Sequence, residues 1–222
     1  MTSDTIERMK TAWKDRTPGR IDEELFKDAA VLVPLVEQEG ELFLLFEVRA
    51  KKLNTQPGEV CFPGGSIEPG ELPEEAALRE TMEELLLEKT QIERLAPLDV
   101  LYIPANMAVH PFLGLLKDYR GTFSPEEVEQ IRLIPLNWFL ENPPFSCETR
   151  VQTVPGEDFP YSLVPEGENY KWRQGRYRVL FYRYEGLVIW GMTAKILNFF
   201  IELCRTELPS PPPCGSGKKE VL

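Results

Sequence analysis

Residues 65–84, GSIEPGELPEEAALRETMEE, decide the fold. Gly65, Pro69 and Gly70 mark a turn, and the run from Pro73 reads as a helix. Proline is tolerated in a first helical turn, and Glu74 and Glu75 complement the positive helix terminus. At about 100° per residue, Glu80, Glu83 and Glu84 fall within an arc of roughly 100° and are expected to converge on one point. Two carboxylates about 5 Å apart repel by roughly 3 kcal/mol at an effective dielectric near 20, so three on one arc ask for a cation. All-oxygen ligation, with no His or Cys close by in sequence, points to Mg²⁺ or Mn²⁺ rather than Zn²⁺. Ala76, Ala77, Leu78, Met82, Leu85 and Leu86 are expected to form the face that packs inward.

The spacing is specific. Gly65, five residues to Glu71, seven to Arg79-Glu80, then Glu83-Glu84 resembles the Nudix hydrolase signature GX5EX7REUXEEXGU, with U a bulky aliphatic. Thr81 stands where the family has an aliphatic residue and Leu86 where it has glycine, while Leu87 fits the final U. The resemblance implies an α/β Nudix fold, a mixed β-sheet sandwiched between helices. It also implies pyrophosphohydrolase chemistry on an X-O-P-O-P-Y linkage, driven by Mg²⁺ or Mn²⁺ and an activated water. Glu80 and Glu84, one turn apart, are the first choice as metal ligands. Glu83 is either a third ligand or the group that orients the attacking water. Arg79 and Glu71 match positions that are paired in the family and orient the metal helix. Many members use a further glutamate from a distant loop, for which Glu126, Glu127 and Glu129 are all open.

Residues 44–65, LLFEVRAKKLNTQPGEVCFPGG, are similar to the motif that precedes the box in Nudix enzymes acting on coenzyme A. Leu44, Arg49, Leu53, Gly58 and Phe62-Pro63-Gly64-Gly65 match it, but Gln56 stands where that group has His. Fainter echoes occur at Val109 to Phe112, Ile134 to Leu136 and Ile189 to Ala194, so the resemblance spans about residues 28–203. It implies coenzyme A or its thioesters as substrate, giving 3′,5′-ADP and 4′-phosphopantetheine or its acyl form. Arg49 would contact substrate phosphate, and Gly64 and Gly65 would let the backbone curl so that the carboxylate helix faces the substrate. ADP-ribose, NADH or another nucleoside diphosphate derivative is the alternative. An inactive metal-binding sensor or scaffold is a third reading. His110, the chain's one histidine, is read as structural.

A net charge of −11 argues against a nucleic-acid partner, since phosphate backbones need a basic stripe that this chain lacks. The partner expected is a small molecule, with no membrane; a homodimer is left open. The four cysteines show no CxxC pairing, and no apolar run approaches the ~20 residues a bilayer span needs. A cytoplasmic protein with free thiols is expected, and the terminal Glu-Val-Leu does not match a peroxisomal tripeptide.

Residues 1–27 are expected to form one or two short amphipathic helices packed on the domain, 28–206 the Nudix domain, and 207–222 a disordered Pro- and Gly-rich tail. Strands are expected at 29–36 and 41–49, as a hairpin, then through 60–62 and at 98–103, 109–116, 132–139 and 177–186, with a last helix at 189–204. The stretch 142–176 is too long for a bare connection and reads as a lid or binding wall.

Overall fold

The computed structural model describes residues 2–207, with side chains from residue 4. β1 (Lys27–Gln38) and β2 (Glu41–Arg49) form the expected hairpin. Its two-residue turn puts Glu39 at φ 53° and Gly40 at φ 80°, the doubly left-handed geometry that matches strand twist. β3 (Val60–Cys61) pairs with β2, and β4 (Gly64–Ser66) pairs with β1. α2 (Pro73–Leu85), which follows α1 (Thr2–Trp13), leads to β5 (Ile92–Pro97), β6 (Leu101–Ile103) and β7 (Met107–Leu116). β7 lies parallel to β1, whereas β8 (Val128–Pro135) runs antiparallel to β2, so this eight-stranded sheet is mixed. A second, three-stranded sheet joins β9 (Phe145–Val151), β10 (Gly175–Tyr184) and β11 (Leu187–Trp190).

Both faces of the large sheet are covered, which is why β1 and β2 read as nearly continuous apolar runs. Leu32, Val36 and Leu45 pack with Leu85 and Leu87 on the α2 side. Val33, Leu35, Leu44 and Phe46 pack on the other side with Leu197 and Ile201 of α4 (Gly191–Glu207), and with Tyr182 and Ile189 of the second sheet. The sandwich of helix, sheet and helix follows the sequence expectation.

Several boundaries differ. The expected strand 132–139 stops at Pro135, which has no N–H to donate, and Leu136–Glu141 becomes a short helix, α3. The expected strand 98–103 is only β6, and β5 was not anticipated. Glu185 (φ 44°) and Gly186 (φ 83°) turn β10 into β11, so Leu187–Trp190 is strand, and the last helix starts at Gly191 and includes Glu207. Within 142–176 lies β9, followed by a segment folded about Phe159, Tyr161, Tyr170 and Trp172, whose ring centroids are 5.0–5.5 Å apart. Ile6, Met9 and Trp13 are exposed, so α1 does not pack on the domain through its apolar residues. Arg20, 2.6 Å from Asp28, ties the N-terminal segment to β1. The expected tail lies, from residue 208 on, outside the described residues.

The inward face of α2 is Ala76, Ala77, Thr81, Glu84 and Leu85, not Leu86. Leu86 is 58% exposed and caps the helix in the left-handed conformation at φ 54°. The Leu87 N–H then bonds back to the Met82 carbonyl at 3.0 Å, the closure that usually carries glycine at the left-handed position. A side chain there costs about 1–2 kcal/mol of backbone strain and, being exposed, contributes little packing. Leu86→Gly is therefore expected to stabilise the protein by about 1 kcal/mol, the reverse of what an inward Leu86 implies. A lowered urea midpoint would show that the Leu86 side chain packs after all.

Candidate functional site

Three local devices hold α2 against the sheet. At its start, Pro73 opens the first turn and the Leu72 N–H donates to Glu75 at 3.1 Å. At its end, the loop 119–127 caps the last carbonyls: the Ser124 N–H reaches Glu84 O at 2.7 Å, and Thr122 Oγ1 donates to Leu85 O at 2.7 Å. Along its side, Arg79 donates Nε and Nη2 to the two oxygens of Glu71 at 2.9 and 3.0 Å, and Nη2 also reaches Ser66 O at 3.2 Å. The fork ties the loop before the helix to the helix itself, and holds the Glu71 carboxyl below its usual range.

Glu84 is 5% exposed and turns into the sheet, where Oε2 accepts the Gly64 N–H at 2.7 Å. Burial pushes its pKa up to about 8, with Glu80 and Glu127 adding to the rise. Glu80 lies over Gly65, and Arg79 Nη1 donates to its Oε1 at 2.8 Å. Glu83 is exposed, with an oxygen 3.7 Å from Arg79 Nη1. The three glutamates thus share a helix but do not converge on one point. Among the described residues, no trio of His, Cys, Asp or Glu side chains is gathered into a metal-ligand set.

Gly64 is required by space, and Gly65 leaves the room that the Glu80 carboxylate occupies. A Cβ on Gly64, at φ 147°, would stand 2.2 Å from Ala30 O; one on Gly65 would stand 2.5 Å from the Glu80 carboxyl carbon. Gly65→Ala is expected to displace Glu80 by about an ångström and lower kcat roughly tenfold to 100-fold with little change in Tm. An unchanged kcat would mean that Glu80's position does not matter.

Beneath Glu84 sits a residue that sequence reading missed. Glu47, on β2, is 1% exposed, and its Oε1 has no hydrogen-bond partner among the described residues. Burial, then the charge of Glu84, holds its carboxyl well above the usual range. Cys61, its cross-strand partner, has its thiol raised by burial and by the same two glutamates. The geometry also separates the loop glutamates. Glu126 pairs with Lys52, and Glu129 lies 3.6 Å from Lys51, whereas the charge of Glu127 acts on both Glu47 and Glu84.

The glycine turn is shared with a cavity of about 400 Å³. Arg49 and Gln56 stand at its polar side, and Met107, Val179, Met192 and Ile196 supply apolar wall. Arg49 Nε donates to Thr55 O at 3.2 Å. His110 lies outside this cavity, its Nε2 2.9 Å from Asp28 Oδ1 in the contact that also engages Arg20.

Residues 26–150 match the NUDIX domain model. The chain belongs to the Nudix family. It is 37% identical over 132 residues to the mouse peroxisomal coenzyme A diphosphatase NUDT7, covering 59% of this chain and 55% of that one. It is 38% identical over 122 residues to the peroxisomal coenzyme A diphosphatase ndx-8 of Caenorhabditis elegans, covering 52% of each. The chain spans about half the length of these animal relatives. Identity to the uncharacterised Nudix hydrolase NudL of Photorhabdus laumondii is 30%, over 78% of this chain and 82% of that one. Among solved structures, a MutT/nudix family protein from Enterococcus faecalis aligns with a TM-score of 0.48 at 13% identity, covering 90% of this chain and 69% of that one.

Within the Nudix box the structure brings Gly65, Glu71, Arg79 and Glu80 into one hydrogen-bonded and contact group, with Glu84 joined to it through Gly64. Glu83 stands at its edge. Arg49, outside the box, lines the same cavity as Gly64 and Gly65.

Proposed function

We propose that this Nudix protein is a Mg²⁺- or Mn²⁺-dependent pyrophosphohydrolase that cleaves coenzyme A or its thioesters to 3′,5′-ADP and 4′-phosphopantetheine or its acyl form. The observation that carries the reading is the Gly64-Gly65 turn, which joins the carboxylate helix to an apolar cavity with Arg49 at its side. A diphosphate at that turn would have an anion-binding residue next to it and apolar room for a long, weakly polar arm. The names of the mouse and nematode relatives support the same substrate.

The donor set suits a hard divalent ion. Every candidate ligand is a carboxylate, Gly65 leaves room for Glu80, and the buried Glu47 has an oxygen without a partner among the described residues. Glu80 and Glu84 are the residues that would hold the ion, with Glu83 as third ligand or as the group that orients water, and Glu127 as the loop carboxylate. When bound, the ion lowers the pKa of a water and offsets charge on the phosphoryl oxygens. Arg79, locked by Glu71, fixes the direction of Glu80, and the Gly64 N–H fixes that of Glu84. The cytoplasm is the compartment proposed, where Cys61, Cys147 and Cys204 remain thiols.

The test is a substrate panel of coenzyme A, dephospho-coenzyme A, ADP-ribose and NADH with each metal. If Arg49 reads the 3′-phosphate, coenzyme A should exceed its dephospho form by about tenfold to 100-fold in kcat/KM, and Arg49→Ala should remove most of that preference. ADP-ribose or NADH as the better substrate would overturn the coenzyme A assignment, and Gln56 in place of the usual His is the feature that favours that outcome.

A further inference from the structure

The face of the second sheet turned away from the core carries an aromatic row that the hydrolytic chemistry does not use. Phe145, Phe181 and Trp190 are cross-strand partners, with ring centroids 5.0 and 6.1 Å apart and planes within 9° of parallel. Tyr182 and Ile189 serve the core from the opposite face, so the row is not needed for burial, and Trp190 remains 42% exposed. One end of the stack is closed, because the Arg183 guanidinium sits 5.0 Å from the Phe145 ring centroid. The other end is open: Trp190 lines a cleft together with Phe181, the turn Gly186 to Val188 and the segment Pro57 to Val60. A planar group entering there would extend the stack by one layer.

The segment Pro57 to Val60 is held in place before any ligand arrives. Gln56 and Gly58 are both left-handed, at φ 51° and 75°, and the Gly58 N–H donates to Arg49 O at 3.0 Å. Gln56 Nε2 donates to the Glu59 carboxylate at 3.3 Å. A carboxylate can only accept, so Glu59 favours an exocyclic amino group and disfavours phosphate in this cleft. We propose that the cleft between Trp190 and Pro57-Glu59 is a subsite for a purine base bearing an exocyclic amino group, stacked on the indole and read by Glu59. Trp190, Glu59 and Val60 also line the cavity that reaches Gly64-Gly65, so the base and diphosphate positions are continuous. The subsite rests on the reading of the substrate as a nucleoside diphosphate derivative, and it leaves the apolar cavity to the other arm.

Calorimetric titration with two inert probes tests it: 3′,5′-ADP, which has a base but no anhydride, and 4′-phosphopantetheine, which has no base. Trp190→Leu is expected to weaken 3′,5′-ADP at least about tenfold and 4′-phosphopantetheine, which would meet Trp190 only as one wall residue of the apolar cavity, no more than about threefold, while Trp190→Phe restores most of the affinity. Replacing adenine by hypoxanthine, which exchanges the amino group for a carbonyl, should weaken binding to the native protein but not to Glu59→Gln. Equal losses for both probes would mean that Trp190 acts only through the fold, and unchanged affinities would remove the subsite. Sedimentation showing that Trp190→Leu splits a dimer, with 3′,5′-ADP affinity intact, would overturn the proposal in favour of a self-association face. Failure of the coenzyme A reading looks different: 3′,5′-ADP would still bind through Trp190 while coenzyme A went uncleaved. Cleavage of coenzyme A with an unchanged KM in Trp190→Leu would sink the subsite alone.

Discussion

Glu84→Gln is expected to lower kcat by at least about 100-fold while leaving the protein folded. The amide keeps the size of the carboxylate, and its oxygen can still accept the Gly64 N–H now bonded at 2.7 Å. What it loses is the charge with which Glu84 would hold a divalent ion. Glu80→Gln should behave similarly, since Glu80 lies against Gly65 at the same turn. Glu83 is exposed and its carboxylate lies 3.7 Å from Arg79 Nη1, so Glu83→Gln should affect turnover more than metal affinity. Rates near the native value in both the Glu80 and Glu84 variants, measured with Mg²⁺ and with Mn²⁺, would sink the metal-site reading.

The carboxylate helix was legible because its signal is local, a fixed spacing along one element of 3.6-residue period. The β1–β2 hairpin was legible for the same reason, through two apolar runs and a Gly40 turn. Leu86 was misread because apolar periodicity continues past the point where the backbone turns left-handed, and a hydrophobic pattern does not record φ. Glu47 was missed because its burial is made by distant parts, the end of α2 and the loop that brings Glu127 near. The alternation along β2 held a clue: Glu47 shares a face with Leu45, which is fully buried against Leu85. Glu126, Glu127 and Glu129 are equivalent as letters and are separated only in space, where lysines reach Glu126 and Glu129 while the charge of Glu127 acts on Glu47 and Glu84. β9 reads FSCETRV, almost wholly exposed and without alternation, so nothing in its pattern announced a strand.

The metal-free protein is expected to lose stability as pH rises from about 5 to about 8.5. In the unfolded chain Glu84 gives up its proton near the ordinary carboxylate pKa of about 4.3, whereas in the folded protein burial delays this to about 8. Between those values the folded state binds more protons than the unfolded state, so the slope of stability against pH is negative. The contribution is fully present below the unfolded pKa and gone once pH passes about 8, and for a group 5% exposed it amounts to several kcal/mol. Glu47 shifts in the same direction and deepens the fall. Asp28, held low by Arg20, acts with the opposite sign and only at acid pH, and the raised Cys61 thiol adds to the fall only as pH nears the ordinary thiol value of about 8.5, so the loss below that belongs to the buried glutamates. Urea unfolding in EDTA at pH 5.5 and 8.5 should show the drop, and Glu84→Gln should remove a large part of it, making the variant more stable than the native protein at pH 8.5. Mn²⁺ should flatten or reverse the slope, because an ion binds the deprotonated carboxylates and is bound more tightly as pH rises. A native protein equally stable at both pH values in EDTA would mean that Glu84 and Glu47 ionise as though exposed. A drop that Mn²⁺ failed to lessen would mean that these two carboxylates do not face an ion, whatever the helix spacing suggests.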